Sequence, residues 1–178
     1  MRWLGIMIMA GTAAGGGFYA AQTAKECLEI LIVISQMIHH LMGRVLQTND
    51  PLPQAFQEVG QRFWDTQKGK RTIPAMMFLQ VAERLKNERG TGFSKIWRDE
   101  ITVLSGKVSM RKSDVRNLEE LGAFLGHSDR KMQEKIFQFY LEQTRASVDE
   151  LKAEIHTKTK LYRSLGLAAG IFLFVFLI

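Results

Sequence analysis

Apolar residues recur every three or four positions through most of this chain of 178 residues. That spacing puts them on one face of an α-helix, and no stretch keeps the two-residue alternation of a β-strand for long. Residues that stop or cap helices divide the pattern into a long first helix and four shorter helices, which end near Thr48, Lys68, Asn87, Gly106 and Gly126. A sixth helix starts near Ser128. The pattern predicts an all-α bundle of five or six helices.

Two helix starts carry capping signals. Asp50 followed by Pro51 predicts an N-cap with a first-turn proline for the second helix. Ser113 and Asp114 predict the cap of the fifth helix. The sixth helix has no breaker before the apolar C-terminal residues, so we expect one rod of about fifty residues, roughly 75 Å long. One stripe of this helix is predicted to pack on the other helices: Met132, Ile136, Phe139, Tyr140, Gln143, Val148, Leu151, Ile155 and Tyr162.

Both ends of the chain are apolar and carry no charge over residues 4–21 and 165–178. A helix that starts at Leu161 would rise about 27 Å, close to the roughly 30 Å of a bilayer's hydrocarbon core. We therefore interpret residues 1–24 and 161–178 as membrane segments that flank a helical domain of residues 25–160. A buried core helix is the alternative for the C-terminal segment, and a cleaved signal peptide is the alternative for the N-terminal one.

Each end segment carries two glycines four residues apart, Gly11 with Gly15 and Gly166 with Gly170. Small residues at this spacing let helix backbones approach closely in membranes, so we expect the two spans to pack together. Three basic residues precede the C-terminal span: Lys158, Lys160 and Arg163. Because basic residues favour the cytoplasmic side, they predict a cytoplasmic central domain.

The central domain carries basic and acidic residues mixed along its length, which is typical of solvated helix faces. Aromatic residues lie at helix-core spacing and not among the basic ones, which argues against nucleic-acid binding. Cys27 is the only cysteine, so an internal disulfide is excluded. His39 and His40 are adjacent and point apart on a helix, and no nucleotide-binding motif is present. We predict no catalytic residues, metal or cofactor.

Three sequence motifs resemble the stage III sporulation protein AB family of endospore-forming bacteria. They are Leu121-Gly122-x2-Leu125-Gly126-x2-Asp129-x3-Gln133, then Lys160-x-Tyr162-x2-Leu165-Gly166-x3-Gly170, and Asp50-Pro51-Leu52-x2-Ala55, where the family has Thr-Pro-Leu-x-x-Ala. The family's Glu-Ile ahead of the proline segment is replaced here by Arg44 and Val45. The similarity covers nearly the whole chain. The candidate family-motif or partner positions are Pro51, Leu52, Leu121, Gly122, Leu125, Gly126, Asp129 and Gln133.

The resemblance implies a membrane protein of the mother cell, in the membrane that faces the forespore. The family is similar to the inner-membrane platform proteins of type II secretion and type IV pilus systems. It implies a non-enzymatic scaffold that seats a secretion-type ATPase and meets other membrane proteins of the sporulation channel complex. A homo-oligomer is left open. The alternative function is a membrane-anchored regulatory adaptor that binds a soluble partner through its helical bundle.

Overall fold

The computed structural model describes residues 2–48, 50–88, 90–125 and 130–177, with side chains for most of residues 22–161 and for Ser164. Within these residues the chain forms six α-helices and one 3₁₀ turn, and no strand. The predicted all-α class is therefore confirmed. The elements are α1 (Arg2–Gln47), α2 (Leu52–Thr66), the 3₁₀ turn (Gly69–Thr72), α3 (Ile73–Asn87), α4 (Phe93–Lys107), α5 (Lys112–Leu125) and α6 (Arg130–Leu177).

The core is built around an aromatic cluster on α2, α3 and α4. The ring of Phe56 lies 4.9 Å from that of Phe78, 5.5 Å from that of Trp97 and 5.8 Å from that of Phe93. One face of α1 packs against this cluster, with Met37 fully buried. These contacts bury the apolar stripes that the sequence pattern identified, which is the main stabilising term in such a bundle.

Helices α1 and α6 run antiparallel. Cys27 and Leu31 of α1 share a buried cluster with Leu151 of α6, whereas Gln36 further along α1 shares a groove with Leu141, which lies earlier in α6. Both helices leave the bundle at the same end and continue towards the chain termini, α1 from Arg2 and α6 to Leu177. α6 is one unbroken helix of 48 residues, while its C-terminal part as a membrane span stays a prediction.

The N-terminal segment and the first predicted helix are also continuous. No break separates residues 2–24 from the rest of the first helix, because α1 extends without interruption over 46 residues. The predicted membrane segments themselves, residues 1–24 and 161–178, lie almost wholly outside the residues whose side chains are described. How Gly11, Gly15, Gly166 and Gly170 pack lies outside them too.

Where side chains are described, the helical segment Gln22–Gln47 is apolar and long enough to cross a membrane, with a mean hydropathy of 1.2. A core helix satisfies the same test. Five of its residues have at most 1 % of their surface exposed and contact the other helices: Ile30, Ile34, Met37, Ile38 and Leu41. This segment is accordingly the core helix of the bundle, and it is only weak support for membrane association.

Two predicted caps are wrong. Pro51, not Asp50, holds the N-cap position of α2, and its carbonyl accepts the backbone N–H groups of Gln54 and Ala55. The carboxylate of Asp50 instead lies 2.7 Å from Nε of Arg44, so it forms an ion pair and does not cap α2. Helix α5 already begins at Lys112, so Ser113 lies inside it, while Asp114 supplies an acidic residue to the first turn.

Candidate partner-binding surfaces

Gly122 lets α5 approach α4 more closely than any other residue would allow. A Cβ atom at this position would lie 1.8 Å from Cδ1 and 2.4 Å from Cγ of Trp97. The indole of Trp97 is fully buried, and its Nε1 donates a 2.7 Å hydrogen bond to the carbonyl of Leu118 on α5. The Oγ of Ser94 donates to the carbonyl of Gly122 at 3.2 Å. This glycine is therefore a packing residue that joins α4 to α5.

The other described residues of the same motif join α5 to α6. Leu121 and Leu125 are 2 % and 1 % exposed and belong to the core. The side-chain amide of Gln133 donates a 3.2 Å hydrogen bond to the carbonyl of Leu125, one of the α5 carbonyls that lack a partner within the helix. Gly126 and Asp129 lie outside the described residues. The motif thus builds the α4–α5–α6 corner and positions the surface that this corner presents.

That surface is an apolar groove between α5 and α6, which we call the α5–α6 groove. Its cavity is about 350 Å³. The side chains of Phe124, Met132 and Phe139 line it with 55 %, 51 % and 60 % of their surface exposed. Its other lining residues are Asn117, Glu120, Leu121, Lys135, Ile136, Tyr140 and Gln143.

The groove corrects the prediction for the stripe of the sixth helix. Tyr140 is buried, and burial raises the pKa of its hydroxyl. Met132 and Phe139 are largely exposed. Helical spacing identified the correct face of α6, but the short α5 covers only part of that face.

The chain departs from the family's pattern at Asp50 in the Pro51 segment and at Arg44 and Val45 ahead of it. Pro51 is exposed, and Leu52 packs against the core as a half-buried residue. Arg44, which stands where the family has glutamate, forms ion pairs with Asp50 and with Glu58 on α2. Arg44 and Asp50 therefore neutralise each other and tie the end of α1 to the start of α2.

The end of the bundle from which α1 and α6 depart is rich in basic residues. Here the connection before α3 meets α1, where Nζ of Lys70 lies 2.8 Å from Glu26. Arg111, between α4 and α5, lies 2.7 Å from Glu150 of α6, and Lys158 lies 2.6 Å from Glu154. Five exposed lysines at or near this end form no ion pair with a described residue: Lys25, Lys68, Lys107, Lys112 and Lys160. This end is consequently the cationic end of the bundle.

The three histidines that the structure describes, His39, His40 and His156, do not form a common site. The ring of His40 packs 5.6 Å from that of Phe63, and burial, with Arg62 and His39 nearby, lowers its pKa. His156 is exposed on α6, and His127 lies outside the described residues. Among the residues that the structure describes, no group of three His, Cys, Asp or Glu side chains could hold a metal ion.

A partly exposed charged cluster joins α3 to α4 at the other end of the bundle. The guanidinium of Arg84 donates to Glu88 at 2.6 Å, to Glu100 at 3.0 Å and to Asp99 at 3.1 Å. These carboxylates raise the pKa of Arg84, and Arg84 lowers the pKa of Glu88. Glu100 is only 8 % exposed, so loss of this arginine would leave a buried carboxylate without its partner. The cluster is a structural clamp of the α3–α4 corner.

Comparison with known proteins extends the similarity to almost the whole chain. No curated protein matches. A solved structure of a stage III sporulation protein AB (SpoIIIAB) superposes with a TM-score of 0.64 at 18 % identity, covering 74 % of this chain and 97 % of that one. That likeness concerns the fold. The model of the family described as stage III sporulation protein AB matches residues 2–178. The chain therefore belongs to the stage III sporulation protein AB family and has a role in sporulation.

Proposed function

We propose that this protein is a non-enzymatic platform that holds a helical domain at the mother-cell membrane facing the forespore and seats a secretion-type ATPase on its cytoplasmic side. The observation that carries the proposal is the pair α1 and α6. Both helices belong to the bundle and both continue from one of its ends into apolar, uncharged sequence. Such a pair would hold the domain at the bilayer by two helical rods.

The antiparallel pairing supports a packed pair of membrane spans. Thr23 of α1 and Lys158 of α6 line one cavity at the cationic end. Gly15 lies eight residues before Thr23 in α1, and Gly166 lies eight residues after Lys158 in α6. Gly11 and Gly170 each lie four residues further towards the chain terminus. Continuing the pairing one residue for one residue thus brings the two glycine pairs opposite each other, where small residues allow close approach.

Charge supports the cytoplasmic orientation. The bundle end from which both apolar segments depart is the cationic end, and cytoplasmic flanks of membrane spans are enriched in Lys and Arg. Anionic lipids of the cytoplasmic leaflet attract such clusters. A topology reporter fused after Lys107 should report a cytoplasmic position, and an external position would refute the orientation.

Disulfide cross-linking tests the paired spans. In a Cys27→Ser background, the pair Gly15→Cys and Gly166→Cys should cross-link in native membranes. The pair Gly11→Cys and Gly166→Cys serves as a control that is out of register by four residues. A protease site engineered between α3 and α4 distinguishes the products, because a cross-linked chain stays in one piece after cleavage. Equal cross-linking of both pairs would contradict the pairing.

Co-purification tests the platform role itself. The tagged full-length chain, extracted from membranes of sporulating cells, should bring down a secretion-type ATPase together with other membrane proteins. The purified ATPase should also bind the full chain in nanodiscs and not empty nanodiscs. A regulatory adaptor would instead bring down one soluble partner without the ATPase, and that result would overturn the proposal.

A further inference from the structure

The α5–α6 groove is a concentrated apolar surface on the described part of the bundle. Among the described residues, six large hydrophobic side chains have more than 40 % of their surface exposed. Three of them, Phe124, Met132 and Phe139, line this groove. Leu161, Trp64 and Val103 lie on other segments. Scattered exposed apolar residues are ordinary, whereas a contiguous apolar patch with a polar rim marks an interaction site.

The polar rim differs between the two walls of the groove. The α5 wall carries Glu120 and Asn117, and the α6 wall carries Lys135 and Gln143. Glu120 accepts a 3.0 Å hydrogen bond from Nε of Arg116 through Oε1, on an exposed part of the same helix. A carboxylate can accept further hydrogen bonds, so its Oε2 stays able to bind a cation. Lys135 forms no ion pair with any residue that the structure describes.

We propose that this groove is a homodimer interface, with a second copy of the chain as its occupant. α5 and α6 are antiparallel neighbours, since Gln133 near the start of α6 reaches the end of α5 at Leu125. A two-fold axis parallel to them places α5 of one copy opposite α6 of the other. Glu120 then meets Lys135 of the second copy, and Asn117 meets Gln143 of the second copy.

The same axis fits a membrane-bound protein. A rotation about an axis parallel to α6 leaves the C-terminal segments of both copies on the same side, as one shared membrane requires. The requirement for one shared membrane rests on the proposed function. The charge and amide pairing between the walls does not depend on it, because that pairing would hold for a soluble chain as well. In a dimer, the acidic α5 wall of one copy pairs with the basic α6 wall of the other copy. A helix from an unrelated partner would not require walls of opposite charge, so the rim favours a second copy as the occupant.

The oligomeric state of the full-length chain in nanodiscs tests the proposal. Wild type should form dimers, and Phe139→Glu should shift it to monomers. The control variant Trp64→Glu introduces the same charge at an exposed aromatic residue on α2 and should leave the dimer intact. Circular dichroism of each variant excludes unfolding as the cause. A wild type that is monomeric at all protein concentrations would overturn the proposal.

Charge reversal tests the facing walls. Glu120→Lys alone and Lys135→Glu alone should each raise the dimer dissociation constant about tenfold, because both symmetry-related pairs become repulsive. The double variant should recover most of the affinity. Two single variants that weaken the dimer without recovery in the double variant would overturn the pairing of α5 with α6.

Cross-linking between copies gives an independent readout. In a Cys27→Ser background, chains with Glu120→Cys mixed with chains with Lys135→Cys should form disulfide heterodimers, and neither should cross-link efficiently alone. Efficient cross-linking of Glu120→Cys with itself would place α5 against α5 and refute the arrangement. Loss of ATPase binding by Phe139→Glu without any change in oligomeric state would instead assign the groove to another protein. The ATPase test on wild type is separate, so either proposal can fail alone.

Discussion

Replacing Gly122 by alanine tests the closest helix contact in the bundle. The added Cβ would lie 1.8 Å from Cδ1 of Trp97, so the indole must move away from α5. Overpacking a core costs about 1–3 kcal/mol, and weakening the buried hydrogen bond from Trp97 to the carbonyl of Leu118 costs about 1 kcal/mol more. Alanine returns about 1 kcal/mol through its higher helix propensity. The net loss of unfolding free energy is therefore about 1–3 kcal/mol.

Thermal unfolding of the full-length chain, followed by circular dichroism, measures this loss. Wild type and variants are compared in the same detergent. A destabilisation of that size lowers the Tm by about 3–10 °C for a domain of this length. Gly106→Ala is the matched control, because a Cβ on that residue of α4 meets nothing within 4 Å, and it should leave the Tm unchanged or slightly higher. Combining Gly122→Ala with Trp97→Phe should cost less than the sum of the two single variants. A Gly122→Ala chain that melts with the wild type would refute the contact.

Three further predictions concern charged or titratable side chains. His40→Gln should flatten the dependence of the Tm on pH below about 6.5. The fold lowers the pKa of His40, so protonation of this side chain favours the unfolded chain and reduces the stability as the pH falls below about 6.5. Arg84→Gln should cost about 2–3 kcal/mol in urea unfolding, since it leaves the buried carboxylate of Glu100 without its partner. Arg44→Glu should destabilise the α1–α2 connection by roughly 1 kcal/mol, and adding Asp50→Lys should recover part of that loss.

Each of these predictions has an outcome that contradicts it. An unchanged pH profile for His40→Gln would mean that another group causes the loss of stability in acid. For Arg84→Gln, the variant Arg98→Gln is the control on an exposed face of α4, and equal losses in the two variants would disprove the clamp. If Asp50→Lys fails to compensate Arg44→Glu, the ion pair between these positions contributes nothing measurable.

Helix number and most helix ends could be read from the sequence because local chemistry determines them. The stops predicted at Lys68 and at Asn87 precede glycines that the structure holds at positive φ, Gly69 at 63° and Gly90 at 101°. Other residues rarely adopt that conformation, so these glycines mark the connections that follow α2, which ends at Thr66, and α3, which ends at Asn87. The apolar period likewise identified the buried faces of α2, α3, α4 and α5.

Features that depend on distant residues could not be read in the same way. The cap predicted at Asp50 failed because Arg44, on the preceding helix, holds the carboxylate. The close contact of Gly122 with Trp97 links two helices, and spacing within one helix carries no information about it. The period placed Phe139 on a packing face but could not say that the described helices leave 60 % of its surface exposed.

The unbroken course of α6 gives the chain a helical phase as well as a length. Each residue added to an α-helix advances the C-terminal part of that helix by about 1.5 Å and rotates it by about 100°. If the two proposed spans pack together, an insertion of one or two residues after Lys160 would turn the apolar C-terminal segment away from the N-terminal one, whereas four inserted residues would nearly restore the facing while lifting the domain by about one turn. Function should accordingly return with a period of three to four inserted residues. A flexible tether would show no such period, and that contrast separates a rigid strut from a mere anchor.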